Sequence, residues 1–584
     1  MGRFSRIRQR HPSVVGPEPE AIVPEEPPQA RKRGRPRGSR DSQPKAVRVT
    51  LPTVLGIRQA DFPMVSPAMW NVLVSLLRSL FLGLLRIVGK LQPEAPGSAL
   101  ESILFREVPG LLHKFICEFA HWWWSNPDRG NLGRSLNCTC CFKTGGLQYK
   151  GDVARRIVTL FGTISPKRAY YYCSECKKGI APLDERLGLD DDSFLPTVRE
   201  VITWLTSMDP YGKSLDFVAK LLQFSVSPRS AWLITQRVAA DAKDRCDEEL
   251  AKAFADPAKP RLPDPEVAPP DIGIVSLDGV MGRIGKVVNA TAAAEPEVQQ
   301  PQPEEASETE TEAKAQFREV KLGLVGHIVP AKQNPTRKRK NKREDRPTLG
   351  RRKYAVHLGP PQALFQMLVL LIYRLGLHRA KTLLVIADGA HWIWNGVKEH
   401  FTSLGVELVE ILDYWHAVEH LWGLSRVLFG RGTKEAKAWV SARKDQLLNG
   451  NQDEFFAALE RAVARARKTN PTAIVLERAG KKLTAVDMAH ETLTYFRNNR
   501  SRINYHEYLA RGFLIGSGAM EGACKHLVKE RIHRSGMRWL PDGCSAVLRN
   551  RALVKSGDWD AFWSNAASQR QSKYLELKTA LGAA

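Results

Sequence analysis

A chain of 584 residues, 43% hydrophobic and 26% charged, is globular overall and long enough for several domains. Its 87 Lys and Arg against 62 Asp and Glu leave a formal net charge of +25, which favours a polyanionic partner. Nine cysteines in so long a chain exclude a disulfide scaffold and, with no signal-peptide pattern after Met1, point to a reducing cytoplasm.

Residues 1–60 are rich in Pro, Arg, Glu and Gln, lack periodic apolar positions, and are expected to be disordered. Within them, Gly34 and Pro36 keep the segment Arg31-Lys32-Arg33-Gly34-Arg35-Pro36-Arg37-Gly38 narrow and extended. Arg33, Arg35 and Arg37 then suit an A·T minor groove, in the manner of an AT-hook; a generic charged tail fits the same residues. Residues 61–135 read as helical. The apolar stretch 72–91 carries Arg78, Arg86 and Lys90 and repeats at helical spacing, so a buried amphipathic helix is expected rather than a membrane span.

Residues 136–192 contain Cys138-Thr139-Cys140-Cys141 and Cys173-Ser174-Glu175-Cys176, separated by strand-like sequence. Two CxxC knuckles suit tetrahedral Zn²⁺, so a zinc-ribbon-like module with a structural ion at Cys138, Cys141, Cys173 and Cys176 is expected. Cys140 is an alternative to Cys141. Cys117, Cys246, Cys524 and Cys544 read as small buried hydrophobes.

Residues 193–255 are helical again. Segments 214–222 and 228–240 flank a short break, with Ser227 as N-cap and Pro228 at the first helical position. This fits a helix-turn-helix whose second helix offers Arg229, Gln236 and Arg237 to DNA; plain helix packing fits the pattern equally. Residues 256–270 are a Pro-rich linker.

From 271 the pattern becomes α/β. Residues 271–278 form a strand ending in Asp278, 287–290 is a candidate partner, and 319–329 is another strand. The acidic stretch 295–312 is a loop, and 332–353 is a basic loop or arm. A helix over 364–375 precedes the clearest unit: a fully apolar strand 382–387, a helix 391–403 and a strand 407–412. Strand, helix and strand in that order predict two parallel strands, with Asp388 and Asp413 at the same sheet edge. Residues 414–510 read as wholly helical, and 516–556 is the last structured block before a C-terminal helix or tail over 557–584.

Three carboxylates stand in motifs of their own: Asp278 in Ser276-Leu277-Asp278-Gly279, Asp388 in Val385-Ile386-Ala387-Asp388-Gly389, and Glu521 in Gly516-Ser517-Gly518-Ala519-Met520-Glu521. Phosphodiester chemistry needs two Mg²⁺ (or Mn²⁺) ions that clamp the attacking and leaving oxygens, and carboxylates are the ligands such ions take. Each acid alone also has a plain reading as a helix cap or ion-pair partner.

The strings Ala387-Asp388-Gly389-Ala390-His391-Trp392-Ile393-Trp394-Asn395, Asp413-Tyr414-Trp415-His416-Ala417-Val418-Glu419-His420 and Gly516–Glu521, followed by Arg534-Ser535-Gly536-Met537-Arg538-Trp539, resemble the ISKra group of bacterial insertion-sequence transposases. The cysteine region leading to Tyr171-Tyr172-Cys173 and Ala181-Pro182-Leu183-Asp184 is similar to that group too. The resemblance covers about residues 136–556. It implies a ribonuclease-H-like catalytic core; with the segments read above, the expected chain is multidomain α/β, that core preceded by helical and zinc-ribbon-like DNA-binding modules. It also implies a DDE triad at Asp278, Asp388 and Glu521. The 132 residues between Asp388 and Glu521 are too many for a simple core. A helical insertion domain over 415–512 accounts for them, with the core running over 271–414 and completed by 513–556.

The expected activity is metal-dependent cleavage at element ends, followed by attack of the freed 3′-hydroxyl on target DNA. Double-stranded DNA is the expected partner, with the chain a homo-dimer or larger on it, in a bacterial cytoplasm near the nucleoid and with no membrane. His416 is a candidate contact to a scissile phosphate or unpaired base, with Trp415 stacking; Asp413 capping a helix over packed Trp415 and His416 is the plainer alternative. Lys525, Lys529 and Arg538 are candidate phosphate contacts, or a solvated face. Two rivals remain: a ribonuclease-H-like nuclease without strand transfer, and a domesticated DNA-binding protein without catalysis.

Overall fold

The computed structural model describes residues 59–90, 97–125, 130–189, 191–222, 224–256, 260–285, 317–329, 347–469, 474–478, 481–534 and 537–582. Arg33, Arg35 and Arg37, the acidic stretch 295–312, the candidate strand 287–290 and most of the arm 332–353 lie outside them. The chain divides into two compact units, residues 1–70 and 71–584. The described part of the first holds a single 3₁₀ turn, Gln59–Asp61, and Phe62 stacked on Trp70 with centroids 6.1 Å apart.

Helix Pro67–Val88 departs from expectation. Only Leu76 and Ile87 are buried, while Leu77, Phe81, Leu85 and Val88 are exposed. Helix Gly97–Trp124 approaches it closely at Gly83, where a Cβ would lie 2.3 Å from Leu111 Cδ1, and Lys90 just beyond its end pairs with Glu107 at 2.7 Å. Burial reaches one edge of the helix only, at Leu76 and Ile87. Among the described residues it alone is long and apolar enough to cross a membrane by length and composition.

The cysteine region is a four-stranded antiparallel sheet ordered Ser135–Leu136, Leu147–Ala154, Lys167–Cys173, Lys178–Ile180. A small hairpin, Ile157–Thr159 with Gly162–Ile164, stands beside it. The C-terminal helix Trp559–Ala580 returns to this module: Leu581 and Leu577 join its core, and Asn137 N–H donates to the Leu581 carbonyl at 3.0 Å. Helices Pro196–Met208, Tyr211–Leu222 and Pro228–Ala253 follow. Ser227 caps the last as its sequence suggests, its hydroxyl accepting from the Ser230 N–H at 3.0 Å.

The central sheet has five strands: β1 (Ile272–Arg283), β2 (Phe317–Val329), β3 (Thr348–His357), β4 (Thr382–Ala387) and β5 (Glu407–Leu412), in the order β5-β4-β1-β2-β3. β2 is antiparallel to β1 and β3, whereas β1, β4 and β5 are mutually parallel. The parallel pair β4–β5 and its crossover helix, His391–His400, are as the sequence predicts. Three expectations need correction. β1 runs five residues beyond Asp278, because it stays paired with β2 to Arg283. β3 begins at Thr348, so part of the supposed basic arm is a strand, with Lys353 buried against Asp558. The segment 414–510 is not wholly helical: Ile474–Arg478 pairs with Lys481–Thr484 as a hairpin.

β4 is apolar throughout because both its faces are covered. On one face Leu384, Ile386 and Ile411 pack with Leu421, Phe455 and Phe496 from the helices that follow β5. On the other, Leu383 and Val385 pack with Leu364, Leu368 and Ile393. Farther along β1 and β2, Val280 and Leu322 meet Met520, Cys524 and Leu527 of the late helical segment.

Candidate functional site

Asp278 and Asp388 reach one place through strand register. Leu277 of β1 is aligned with Ala387 of β4, and each acid is the next residue. In a parallel pair, residues in register point to the same face, and neighbouring strands lie about 4.8 Å apart. β4 ends at Ala387, so Asp388 sits where the sheet steps back and leaves β1 and β2 projecting. Both acids are half-buried.

Burial raises the pKa of Asp388 above the usual carboxylate range. The Ala390 N–H, 3.0 Å from its Oδ1, and the nearby His416 pull the other way, while the carboxylates of Asp278 and Glu319 push it up further. A like-charged group of this kind is eased by a cation.

Glu521 opens helix Gly518–Ala523, which continues as a π-helical stretch Cys524–Lys529 and a last turn Glu530–Ile532. Glu521 is exposed. One helical turn on, Cys524 is buried and its thiol donates to Asp278 Oδ2 at 3.1 Å. Positions three apart on a helix are neighbours, which brings the Glu521 turn beside Asp278. Widened π turns often mark functional sites.

Asp413 explains how this helix is aimed. Its Oδ1 accepts from the Trp415 N–H at 2.8 Å, capping helix Tyr414–Phe429. Its Oδ2 accepts from the Ser517 hydroxyl and from the Ser517 N–H at 3.3 Å. Tyr414 N–H donates to the Ile515 carbonyl at 2.9 Å. One buried carboxylate thus ties the end of β5 to the loop before Glu521. Gly516 is needed there, since a Cβ would lie 2.7 Å from the Trp415 ring. Trp415 itself is exposed and His416 half-buried, 3.8 Å from Glu419; of the plainer alternative the Asp413 cap is present, but the two side chains are not packed away beneath it. A groove of about 650 Å³ opens beside them, lined among others by Gly389, His391, His416, His420, Asp487 and Tyr495.

The other expected contacts divide. Lys525, Lys529, Arg538 and Arg229 are exposed. Gln236 and Arg237 are engaged in the fold and are corrected as free DNA readers. Gln236 has a buried Nε2 and lines a cavity of about 290 Å³ with residues of helix Pro541–Lys555, and Arg237 pairs with Asp192 at 2.6 Å. The cause is packing: helix Pro228–Ala253 lies against both Pro196–Met208 and Pro541–Lys555.

The sulfur atoms of Cys138, Cys141, Cys173 and Cys176 lie within 4.8 Å of one another, and this cluster could hold a metal ion such as zinc. Cys140 is exposed and outside the cluster, which decides between it and Cys141. Backbone N–H groups of Cys141 and Cys140 draw the Cys138 thiol down to about 6, whereas burial pushes Cys176 up to about 12. Four sulfurs this close ionise together only with a cation between them. Lys143 and Glu175 form an ion pair that links the two knuckles.

Two residues of the acidic site escape sequence reading. Cys524 is not a plain hydrophobe; its place three residues after Glu521 was the available signal. Glu319, on β2 and paired with Lys321 at 3.0 Å, lies across Gly279, where a Cβ would meet its carboxylate. Nothing in the sequence marks it. No protein-family model matches the chain, and no curated protein matches it significantly.

Proposed function

We propose that this protein is a DDE transposase: a metal-dependent enzyme that cuts DNA at element ends and joins the 3′-hydroxyl to target DNA. The observation that carries the reading is the meeting of Asp278 and Asp388 at one sheet edge, with the turn bearing Glu521 held beside Asp278 through Cys524. A five-stranded sheet in the chain order 3-2-1-4-5 with its second strand antiparallel is the arrangement a ribonuclease-H-like core requires, and it supports that finer reading. So does the long, mainly helical stretch between β5 and Gly516, which the reading takes as an insertion domain.

In this reading Asp278, Asp388 and Glu521 hold two Mg²⁺ or Mn²⁺ ions. The donor set suits them, being hard carboxylate oxygens, partly solvated, on a sheet edge open to a long substrate. Bound there, the ions would neutralise charge on the attacking and leaving oxygens of an in-line displacement. The chain's own part is positional. Asp413 and Ser517 fix the approach of the Glu521 helix, and Cys524 orients the Asp278 carboxylate. Lys525, Lys529 and Arg538 offer positive charge to the DNA backbone. The four-cysteine cluster, read as a zinc-ribbon-like module with structural Zn²⁺, belongs to DNA recognition. The chain acts on double-stranded DNA as a dimer or larger assembly, because two element ends must be held together.

Strand transfer of a pre-cut duplex end into plasmid DNA tests the reading. Asp278→Asn should lower the rate by roughly 10²–10³-fold or more, with DNA binding retained. Wild-type protein that hydrolyses DNA but never joins ends would move the assignment to a nuclease, and an Asp278→Asn variant as active as wild type would sink it altogether.

A further inference from the structure

Among the described residues, two that are not glycine have φ in the left-handed region: Phe142 at 58° and Lys177 at 54°. They occupy equivalent places. Phe142 follows Cys141 and Lys177 follows Cys176, so each is the residue directly after the second cysteine of its knuckle. The turn that brings a knuckle's sulfurs together demands this conformation, and a Cβ there is strained. Glycine is the residue such a position selects on conformational grounds. A bulky aromatic is among the least suited, and it receives no packing in return: Phe142 is 86% exposed. The chain therefore carries an unfavourable backbone and an unfavourable surface at one residue.

The surroundings indicate what that residue meets. Across the two knuckles, residues 138–143 and 173–178, the sequence has three Lys against one Glu. Lys143, Lys150, Lys177 and Lys178 are exposed. The ion pair between Lys143 and Glu175 holds the two knuckles to each other, and the four convergent sulfurs do the same. Phe142 and Lys177 are consequently both exposed at the rigid, lysine-bearing end of the module where the two knuckles meet.

We infer that this knuckle tip is a contact to duplex DNA, with Phe142 a wedge against the bases and Lys177 a phosphate contact. The inference rests on the reading that DNA is the partner, and adds the residues and the mode. Apolar side chains inserted between base steps unstack and kink a duplex, and flanking cations hold the adjacent phosphates. A rigid mount suits such a wedge, because unstacking is resisted by the whole stack.

The test uses the full chain loaded with Zn²⁺, and a mixed-sequence duplex carrying 2-aminopurine, at fixed salt. Phe142→Gly removes both the strain and the wedge. Its expected signature has two opposite signs: higher thermal stability and slower loss of zinc to a chelator, but DNA binding weaker on the order of 10-fold. The 2-aminopurine emission should rise on binding of wild type and of Phe142→Trp, and stay flat with Phe142→Gly. Lys177→Gly should weaken binding at every sequence and reduce the slope of log affinity against log salt by about one. If Phe142→Gly binds duplex as tightly as wild type, or loses heparin binding to the same extent as DNA binding, the inference is overturned. If Phe142→Gly is less stable than wild type, Phe142 is a packing residue and the inference is again overturned. Wild-type protein that binds no DNA would remove the underlying reading instead, and Asp278→Asn binding serves as the control that separates recognition from catalysis.

Discussion

The four-cysteine module is a candidate metal centre and the acidic sheet edge a proposed one, and they are built in opposite ways. The first draws its four sulfurs from two tight knuckles on adjoining strands of one small sheet, packs its donors close, and buries two of them. The second draws its acids from two strands and a helix spread over 244 positions, and leaves Glu521 exposed. A site of soft, close-packed thiols holds its ion as part of the fold. In the proposed function, a site of hard, partly solvated carboxylates takes ion and substrate together. The difference lies in the local chain: a knuckle carries its own geometry, whereas the acids depend on strand register and on the tether through Asp413.

The sharpest way to break this comparison is to remove the metals. Chelation at neutral pH should unfold the cysteine module and loosen the C-terminal helix docked on it, because structural zinc contributes on the order of 10 kcal/mol. The central sheet should survive. Proteolysis followed by mass spectrometry would show cleavage confined to about 135–180 and the last helix; an even digestion of the whole chain would contradict it.

The tether ranks next. Asp413→Ala removes a helix cap and leaves the Ser517 N–H and hydroxyl without their acceptor, so a loss of about 2 kcal/mol is expected. Activity should fall further than stability alone explains, since Glu521 loses its aim. Urea unfolding set beside strand-transfer rates measures both.

Asp388 gives a pH signature. Its folded pKa is raised, so the folded protein holds that proton at pH values where the unfolded chain has released it. Stability contributed by the site then falls as pH rises from the ordinary carboxylate value to the raised one, and stays low above. Without divalent ions, Asp388→Asn should therefore be more stable than wild type near neutral pH, with the gap closing in acid. Added Mg²⁺ should narrow the gap by stabilising wild type alone. Thermal midpoints across pH would show it; a variant less stable at neutral pH would mean Asp388 is a structural acid.

The smallest effect concerns the thiol. Cys524→Ala deletes one hydrogen bond to Asp278, worth about 1 kcal/mol, and should raise the Mg²⁺ concentration needed for half-maximal rate; Cys524→Ser should restore it. Equal Mg²⁺ requirements in all three proteins would show that Cys524 merely fills space.

The parts legible in advance were those with local causes. The apolar run 382–387 could only be a strand covered on both faces, Ser227 and Pro228 announced a helix start, and the paired CxxC strings announced a thiol cluster. Errors arose where partners were distant. β1 outran Asp278 because β2, on the far side of a long insert, keeps it paired. The segment 332–353 hid the start of β3 because its positive charge looked like a loop, yet Lys353 is neutralised by Asp558, 205 positions away. Helix Pro67–Val88 has the periodicity of a buried helix and is nonetheless exposed, since periodicity shows which side is apolar and not whether anything covers it.

The sequence by itself determined the chemistry on offer: which side chains can take hard or soft cations, where charge accumulates, and which strongly patterned segments, such as 382–387, must be strands or helices. Those follow from side-chain type and short-range geometry. Only the tertiary structure decided that Asp278 and Asp388 are neighbours, that Cys141 rather than Cys140 joins the thiol cluster, that Cys524 bears on the acidic site, that Arg237 is paired with Asp192 while Gln236 lines a cavity, and that Phe142 stands strained and bare. Each of these depends on register, packing or burial between residues far apart in the chain, and no local rule encodes them.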